Sequence, residues 1–385
     1  MKVKKIAEFN PTPSSPIVER SEIDYIDTAA VVEGRLGDVQ RLTTMFPSRA
    51  QREIHTNDIL ISSVRPNLKH NYFVDDSADG MIASSGFIHV RVKNSSDVSP
   101  RFLYYYLTSP AQVQRYVKIA DSSQSAYPSF NKDVVENIEL PEIDLPTQLR
   151  IAGVLGSLDE KVELNRKKIA ELEALAKTIY DYWFVQFDFP DKNGKPYKSS
   201  GGKMVWNEQL KREVPEGWEV SSLDTVFIVC SGKDHKQLMD GLYPVLGSGG
   251  IMRYAEKFLY DSESVLIPRK GTLNNVMFMQ SPFWTVDTMF YTRPKRNNMM
   301  KYTFMAIRDF DFARLNTGTG VPSMTASIIG RIQIAIPPNE LAKETDQFLG
   351  CLFSRIDSLK SEIGVLTRQR DTLLPLLMNG QVSVG

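Results

Sequence analysis

Two parts of the chain gather the side-chain types that read nucleic-acid base edges. Arg65-Pro66-Asn67-Leu68-Lys69-His70-Asn71 follows an apolar, β-prone stretch. The second half carries Lys233, Arg269, Lys270, Asn274, Asn275, Arg293, Lys295 and Arg296, followed by Asn297 and Asn298. In the major groove Arg and Lys match the two acceptors of guanine, and Asn or Gln matches the donor–acceptor pair of adenine. If the chain reads DNA, the candidate reading residues are Arg65, Asn67, Lys69, His70 and Asn71 in the first half. In the second they are Lys233, Arg269, Lys270, Asn274, Asn275, Arg293, Lys295 and Arg296. Each competes with a role as a solvated loop residue, and in a DNA reader about half would touch DNA, several through phosphate alone.

Other chemistries have no residues to carry them. No G-x-x-x-x-G-K-[ST] run occurs, which excludes a P-loop nucleotide engine. The four histidines (His55, His70, His89, His235) form no H-E-x-x-H pair, and Cys230 and Cys351 alone cannot build a structural zinc site. Ile336-Pro337-Pro338-Asn339 is similar to the Asn/Asp-Pro-Pro-aromatic motif of amino-methylating enzymes. It lacks both the leading amide or acid and the trailing aromatic, and makes sense as the stop before a helix. No catalytic residue and no metal site is expected. Lys plus Arg equals Asp plus Glu at 46 each, so a DNA-reading chain must concentrate its positive charge on one face or share phosphate contacts with other subunits. Reduced cysteines, an N-terminus without a following apolar run, and no stretch near the ~18 apolar residues of a membrane span point to a cytoplasmic protein.

The elements that position these residues occur twice. Pro128-Ser129 faces Pro322-Ser323, Leu155-Gly156 faces Leu349-Gly350, Ile169 faces Ile363 and Leu172 faces Leu366, every pair 194 positions apart. Residues 120–183 thus resemble 314–377. Upstream the match slips: Arg101-Phe102 faces Lys301-Tyr302 at 200, Arg91 faces Arg293 at 202, and Asp58 to Ile61 faces Ser264 to Ile267 at 206. A chain repeating itself at nearly half its length is two similar domains in tandem.

Between the mixed β-rich segments lie two long helical stretches. The first opens after Leu145-Pro146, with Thr147 as a capping residue, and closes in the aromatic run Tyr180 to Phe184. The second follows Pro337-Pro338 and should end or kink at Pro375. In the first, Ile151, Leu155, Leu158, Val162, Asn165, Ile169, Leu172, Ala176, Ile179 and Trp183 alternate at steps of four and three. The corresponding stripe in the second is Thr345, Leu349, Leu352, Ile356, Leu359, Ile363, Leu366, Arg370, Leu373 and Leu377. Such stripes are coiled-coil seams, and the simplest partner for each is the other, antiparallel. Asn165 is a polar seam residue of the kind that fixes register. The seam spans roughly 50 Å at the rise of an α-helix, enough to act as a ruler. The expected boundaries are a first module over 1–145, a long helix over 146–189, a linker and second module over 190–336, and a second long helix with a tail over 337–385. The expected fold class is α+β: two globular mixed α/β modules joined by two long antiparallel coiled-coil helices, with a pseudo-two-fold internal repeat.

Asn137 to Pro141, Leu145-Pro146-Thr147-Gln148, Leu158-Asp159-Glu160-Lys161-Val162 and Ile179 to Phe184 closely resemble the central conserved region of specificity subunits of type I restriction-modification enzymes. Ile332 to Pro338 resembles the distal conserved region. Val214 to Trp218, Ser231-Gly232-Lys233, Tyr243 to Ile251 and Arg269 to Thr272 look like the opening and interior of a target-recognition domain. The resemblance implies a subunit without catalysis, in which each target-recognition domain reads one half of a bipartite double-stranded DNA site. The helices would set the unread spacer and dock two methyltransferase subunits, and two restriction subunits can join. S-adenosylmethionine, ATP and Mg would then sit on those partners, with no cofactor on this chain. With about 34–36 Å per DNA turn, half-sites one turn apart fit the ruler. The competing reading is a pseudo-symmetric coiled-coil adaptor for two copies of a protein, without sequence-specific DNA binding.

Overall fold

A computed structural model describes residues 1–32, 34–122 and 128–382 of the chain; part of the repeated segment (123–127) and the last three residues of the tail lie outside the described residues. In chain order the first half forms α1 (Val3–Ile6), β1 (Ala7–Phe9), β2 (Ile23–Ile26), β3 (Val31–Val32), β4 (Arg35–Leu36), β5 (Gln40–Leu42), β6 (Ala50–Glu53), β7 (Ile59–Ser62), β8 (Asn71–Phe73), β9 (Ile82–Ser84) and β10 (Phe87–Val92). Helices α2 (Pro100–Leu107), α3 (Pro110–Asp121), α4 (Lys132–Glu136) and α5 (Leu145–Tyr180) follow. One sheet has the order β1-β10-β7-β8 and a second β5-β2-β9-β6. All four residues of β7 are buried, because Ile59 and Ile61 face a core shared with Leu103, Leu107 and Tyr116 while Leu60 faces Tyr72 and Phe87. Packing on both faces explains why this strand reads as a continuous apolar run.

The second half repeats the plan. A hairpin of β11 (Met204–Asn207) and β12 (Arg212–Pro215) leads to β13 (Glu219–Ser222), β14 (Phe227–Ser231), β15 (Asp240–Gly247), β16 (Gly250–Ala255), β17 (Ser264–Pro268), β18 (Met277–Met279), β19 (Trp284–Thr285) and β20 (Met289–Pro294). Then come α6 (Met300–Ile307), α7 (Ala326–Gly330), β21 (Gln333–Ile336) and α8 (Asn339–Met378). The sheet β14-β20-β17-β18 matches β1-β10-β7-β8, and β16-β15-β19 matches β5-β2-β9 of the other sheet. The registers agree residue by residue: Ile61 pairs with Ile88 as Ile267 pairs with Phe290, and Tyr25 pairs in parallel with Ile82 as Val245 does with Trp284. Lys2 bridges Glu139 as Ser222 pairs with Gln333. The first thirty residues therefore also belong to the repeat, at an offset of 220 that the sequence comparison had not revealed.

The chain divides into two compact units, residues 1–165 with 361–385 and residues 166–360, so each unit holds part of both long helices. In the first, Ile151, Ala152 and Leu155 of α5 pack on Leu374, Leu377 and Met378 of α8. In the second, Ala176 of α5 packs with Leu349, Phe353 and Ile356 of α8. Within each unit the helices run antiparallel, as the seams require, and no seam residue is exposed. Asp144, not Thr147, caps α5: its carboxylate accepts the Thr147 N–H at 2.7 Å, which places Thr147 inside the first turn. The α-helix ends at Tyr180 and one π-turn (Asp181–Val185) carries the aromatic run onward. Pro375 does not end α8, which continues to Met378. Burial of Leu377 and Met378 offsets the hydrogen bond that proline cannot donate.

Where the module helix meets the long pair, each unit has a distinct junction. In the first, Asp159 accepts the Tyr105 hydroxyl at 2.7 Å and Arg370 Nη1 at 2.8 Å. The positions repeating these three residues are Phe353, Met305 and Ala176, which form one apolar cluster in the second unit. Beside each junction a helical glycine faces a cation. A Cβ on Gly156 would lie 2.9 Å from Arg101 Cζ, whereas one on Gly350 would make an ordinary 3.5 Å contact with Lys301 Cε. Gly350→Ala should therefore raise the stability of the second unit by up to about 1 kcal/mol through helix propensity. Gly156→Ala should show no gain, because Arg101 must leave Glu160, its partner at 3.1 Å. Thermal unfolding of the two variants measures the contrast.

Candidate nucleic-acid interface

In both units the chain leaves the central strand into a loop held by three matching backbone bonds. In the first, Ser63 N–H donates to Gly86 O at 3.0 Å, Arg65 N–H to Pro128 O at 2.9 Å, and Phe130 N–H to Ser63 O at 3.0 Å. In the second, Arg269 N–H donates to Thr288 O at 2.8 Å, Gly271 N–H to Pro322 O at 3.0 Å, and Met324 N–H to Arg269 O at 2.9 Å. Val64 bridges Ser129 as Lys270 bridges Ser323. Arg65 and Arg269 both follow strands that align in the repeat, Ile61 with Ile267. The bonds match Arg269 to Ser63 and Arg65 to Gly271, the same offset of 206 that aligns the strands. Both members of the latter pair have positive φ, 48° at Arg65 and 85° at Gly271. A left-handed backbone is easy for glycine and costs a side-chain-bearing residue roughly 1 kcal/mol or more.

The first loop presents Arg65, Asn67 and Lys69 exposed around the 3-10 turn Pro66–Leu68, with His70 half-buried. Asn71 points inward: it is 7% exposed, and its Oδ1 accepts the Ser62 N–H at 3.2 Å, so it braces the strand end. In the second unit Lys233, Arg269, Lys270, Asn274 and Asn275 all come to one end of the sheet, where β14 and β17 finish and β20 begins. Lys233 is exposed there, its N–H on Thr285 O at 2.9 Å. The Arg269 guanidinium lies 5.8 Å from the Phe290 ring centre. Asn274 and Asn275 serve the loop itself. The first accepts the Ala313 N–H at 3.1 Å, and the second donates to Ser248 O at 2.8 Å.

Arg293, Lys295 and Arg296 come to the opposite end of that sheet, beside the start of β14. Arg293 is exposed with its guanidinium 5.8 Å from the Tyr260 ring centre. Lys295 Nζ donates to Asp224 O, and Arg296 forms a two-pronged pair with Glu219 at 2.7 and 2.8 Å. Reasoning from residue types grouped all eight cations and amides of the second half; strand direction separates them. It also passed over the Pro128-Ser129 and Pro322-Ser323 segments as site residues, although their constant 194-residue spacing was visible. Among the described residues no group of His, Cys, Asp and Glu could hold a metal ion.

Comparison with known proteins places this geometry. The family model of the type I restriction modification DNA specificity domain matches residues 4–174 and 215–368, one match to each repeat. The chain belongs to this family. It is 22% identical to the HindI specificity subunit of Haemophilus influenzae over 88% of this chain and 89% of that one. To the MjaIX specificity subunit of Methanocaldococcus jannaschii it is 25% identical over 100% and 93%. The fold is shared with the crystal structure of a type I restriction-modification S subunit from M. genitalium, at a TM-score of 0.60 and 17% identity over 98% and 95% of the two chains.

Buried charge also marks the first module of this specificity family member. Asp58 accepts from His89 Nε2 at 2.7 Å and from Arg91 at 2.6 and 2.8 Å. Burial raises the Asp58 carboxyl, but the Arg91 and His89 hydrogen bonds outweigh it and hold the group down at about 2. Burial lowers His89 against the pull of Asp58, so the folded state keeps the ring neutral. Both groups bind protons more readily when unfolded, so both remove stability as pH falls. The His89 contribution is complete above about pH 6.5 and declines below it; the Asp58 contribution, on the order of 2 kcal/mol, declines from about pH 4 toward 2. A His89→Gln variant should flatten the limb below about pH 6.5 and leave the acid limb, as read by the unfolding midpoint against pH. At the interface, Arg269→Ala should weaken DNA binding by about 1–3 kcal/mol. Arg296→Ala should change it less than about two-fold. Fluorescence anisotropy with the assembled complex separates these outcomes.

Proposed function

We propose that this chain is the non-catalytic DNA sequence-specificity subunit of a type I restriction-modification enzyme. The observation that carries the reading is the duplicated loop: each unit holds an Arg- and Lys-bearing segment at the same end of an equivalent sheet by the same three backbone bonds. Two rigid frames with different exposed side chains suit a bipartite site whose halves differ in sequence, each read by one module. The three bonds supply the rigidity that base readout needs, and the loop residues supply Arg–guanine and Asn–adenine chemistry.

In this reading the long helices set the number of unread base pairs and dock two methyltransferase subunits. Exposed apolar residues support the docking role, Leu149 and Leu164 of α5 in the first unit, and Leu175 of α5 with Tyr182 of the π-turn in the second. Two restriction subunits complete the nuclease form. S-adenosylmethionine, ATP and Mg belong to those partners. The complex works in the cytoplasm; no described helix is long and apolar enough to cross a membrane.

The test is a DNase footprint of the chain, assembled with its genomically adjacent methyltransferase, on random DNA enriched by binding. Two short blocks around a fixed unread gap are expected. One contiguous block would mean that a single module reads DNA, and no enrichment would make the chain a protein adaptor.

A further inference from the structure

The second unit carries a tip that the first lacks. Strands β15 and β16 are joined by the two-residue turn Ser248-Gly249, flanked by the pair Gly247 and Gly250. The corresponding connection in the first unit is longer, running from β2 to β5 and containing the β3–β4 hairpin. The glycine turn stands at the cationic end of the sheet. Asn275 Nδ2 donates to Ser248 O at 2.8 Å, and a Cβ on Gly271 would lie 2.9 Å from Ser248 Oγ. Thr288, whose carbonyl accepts the N–H groups of both Arg269 and Lys270, has its hydroxyl 3.4 Å from where a Cβ on Gly247 would be. The tip is therefore fixed to the reading loop by a hydrogen bond and by close glycine packing.

Directly after the turn the ladder is irregular. Val245 pairs with Arg253 but Leu246 pairs with Ile251, which leaves Met252 as a bulge. A bulge beside a functional edge re-aims the neighbouring side chain. The Met252 thioether passes over Gly247, its Sδ 2.9 Å from the site a Cβ there would take, and the side chain stays 59% exposed. Ile251, an aliphatic β-branched residue, is 55% exposed two residues beyond the glycine turn that is tied to the loop carrying Arg269 and Lys270.

We infer that Ile251 is a specificity-determining residue of the second module, reading the C5-methyl of a thymine in the major groove. An aliphatic side chain has no hydrogen bond to offer a base edge, and the thymine methyl is the one apolar group displayed there. The cations of the adjoining loop, Arg269 and Lys270, would meet the phosphates and orient the duplex, and Ile251 would discriminate. This inference rests on the specificity-subunit reading above.

The experiment uses the chain assembled with its methyltransferase subunits and the site found by selection. Each thymine of the second module's half-site is replaced singly by uracil, which lacks only the methyl. Wild-type binding should fall about four-fold at one thymine, the loss expected for one buried methyl group. Ile251→Ala should bind the thymine duplex that much more weakly and show no further loss with uracil at that position. The inference is overturned if the half-site contains no thymine, or if the uracil losses persist unchanged in Ile251→Ala. It is equally overturned if Ile251→Ala weakens assembly with the methyltransferase and leaves DNA preference intact. Failure of the wild-type complex to select any split site overturns the specificity reading itself, and this is seen before any substitution is made.

Discussion

The junction at which a short module helix meets the two long helices governs what each unit can do. Helix α2 is fixed by Asp159, which joins Tyr105 to Arg370, and helix α6 by the Phe353, Met305 and Ala176 cluster. These are the same three positions of the repeat, once polar and once apolar. A polar triad of this kind is costly unless all its members are paired, and it demands specific partners; an apolar one tolerates exchange more easily. The same geometry has thus been kept by two different interactions. Arg370, which with Thr345 interrupts the apolar stripe, is explained by this pairing and not by solvent exposure.

From that junction the sheet carries the module's loops. Three backbone bonds at the end of the central strand are common to both units, and the side chains on them are not. Backbone bonds are indifferent to side-chain identity, so a loop fixed in this way can change the residues it displays without losing its shape. Arg65 is the limiting case. It holds a left-handed backbone that its counterpart Gly271 adopts freely, and the surrounding bonds keep it there. The glycine-rich tip at residues 247–250 adds another surface at the same edge.

Zero net charge hides an uneven distribution. Arg91 is committed to Asp58, Lys301 to Glu263 and Asp346, Arg370 to Asp159 and Arg296 to Glu219. Lys301 is nearly buried; burial lowers its ammonium, yet the two carboxylates outweigh this and raise it. Much of the chain's acid and base is therefore spent on holding elements together. Cations that remain at the loop edge, such as Lys69 and Lys233, can meet a polyanion although the total is balanced.

The duplication, the helical period and the residue types of the loops were legible in the sequence, because each is a local or strictly periodic property. The long helix expected over 146–189 could be read from the four-and-three spacing of its stripe, although its α-helical part ends at Tyr180. Only the tertiary structure decided which candidates share an edge. Arg269 and Arg293 are 24 positions apart and of one type, yet antiparallel strands deliver them to opposite ends of a sheet. The first thirty residues likewise joined the repeat at an offset that no run of similar residues marked. Strand pairing joins residues distant in the chain, and its register is held by backbone hydrogen bonds that every residue type but proline can make. A sequence names the side chains and leaves that register unwritten.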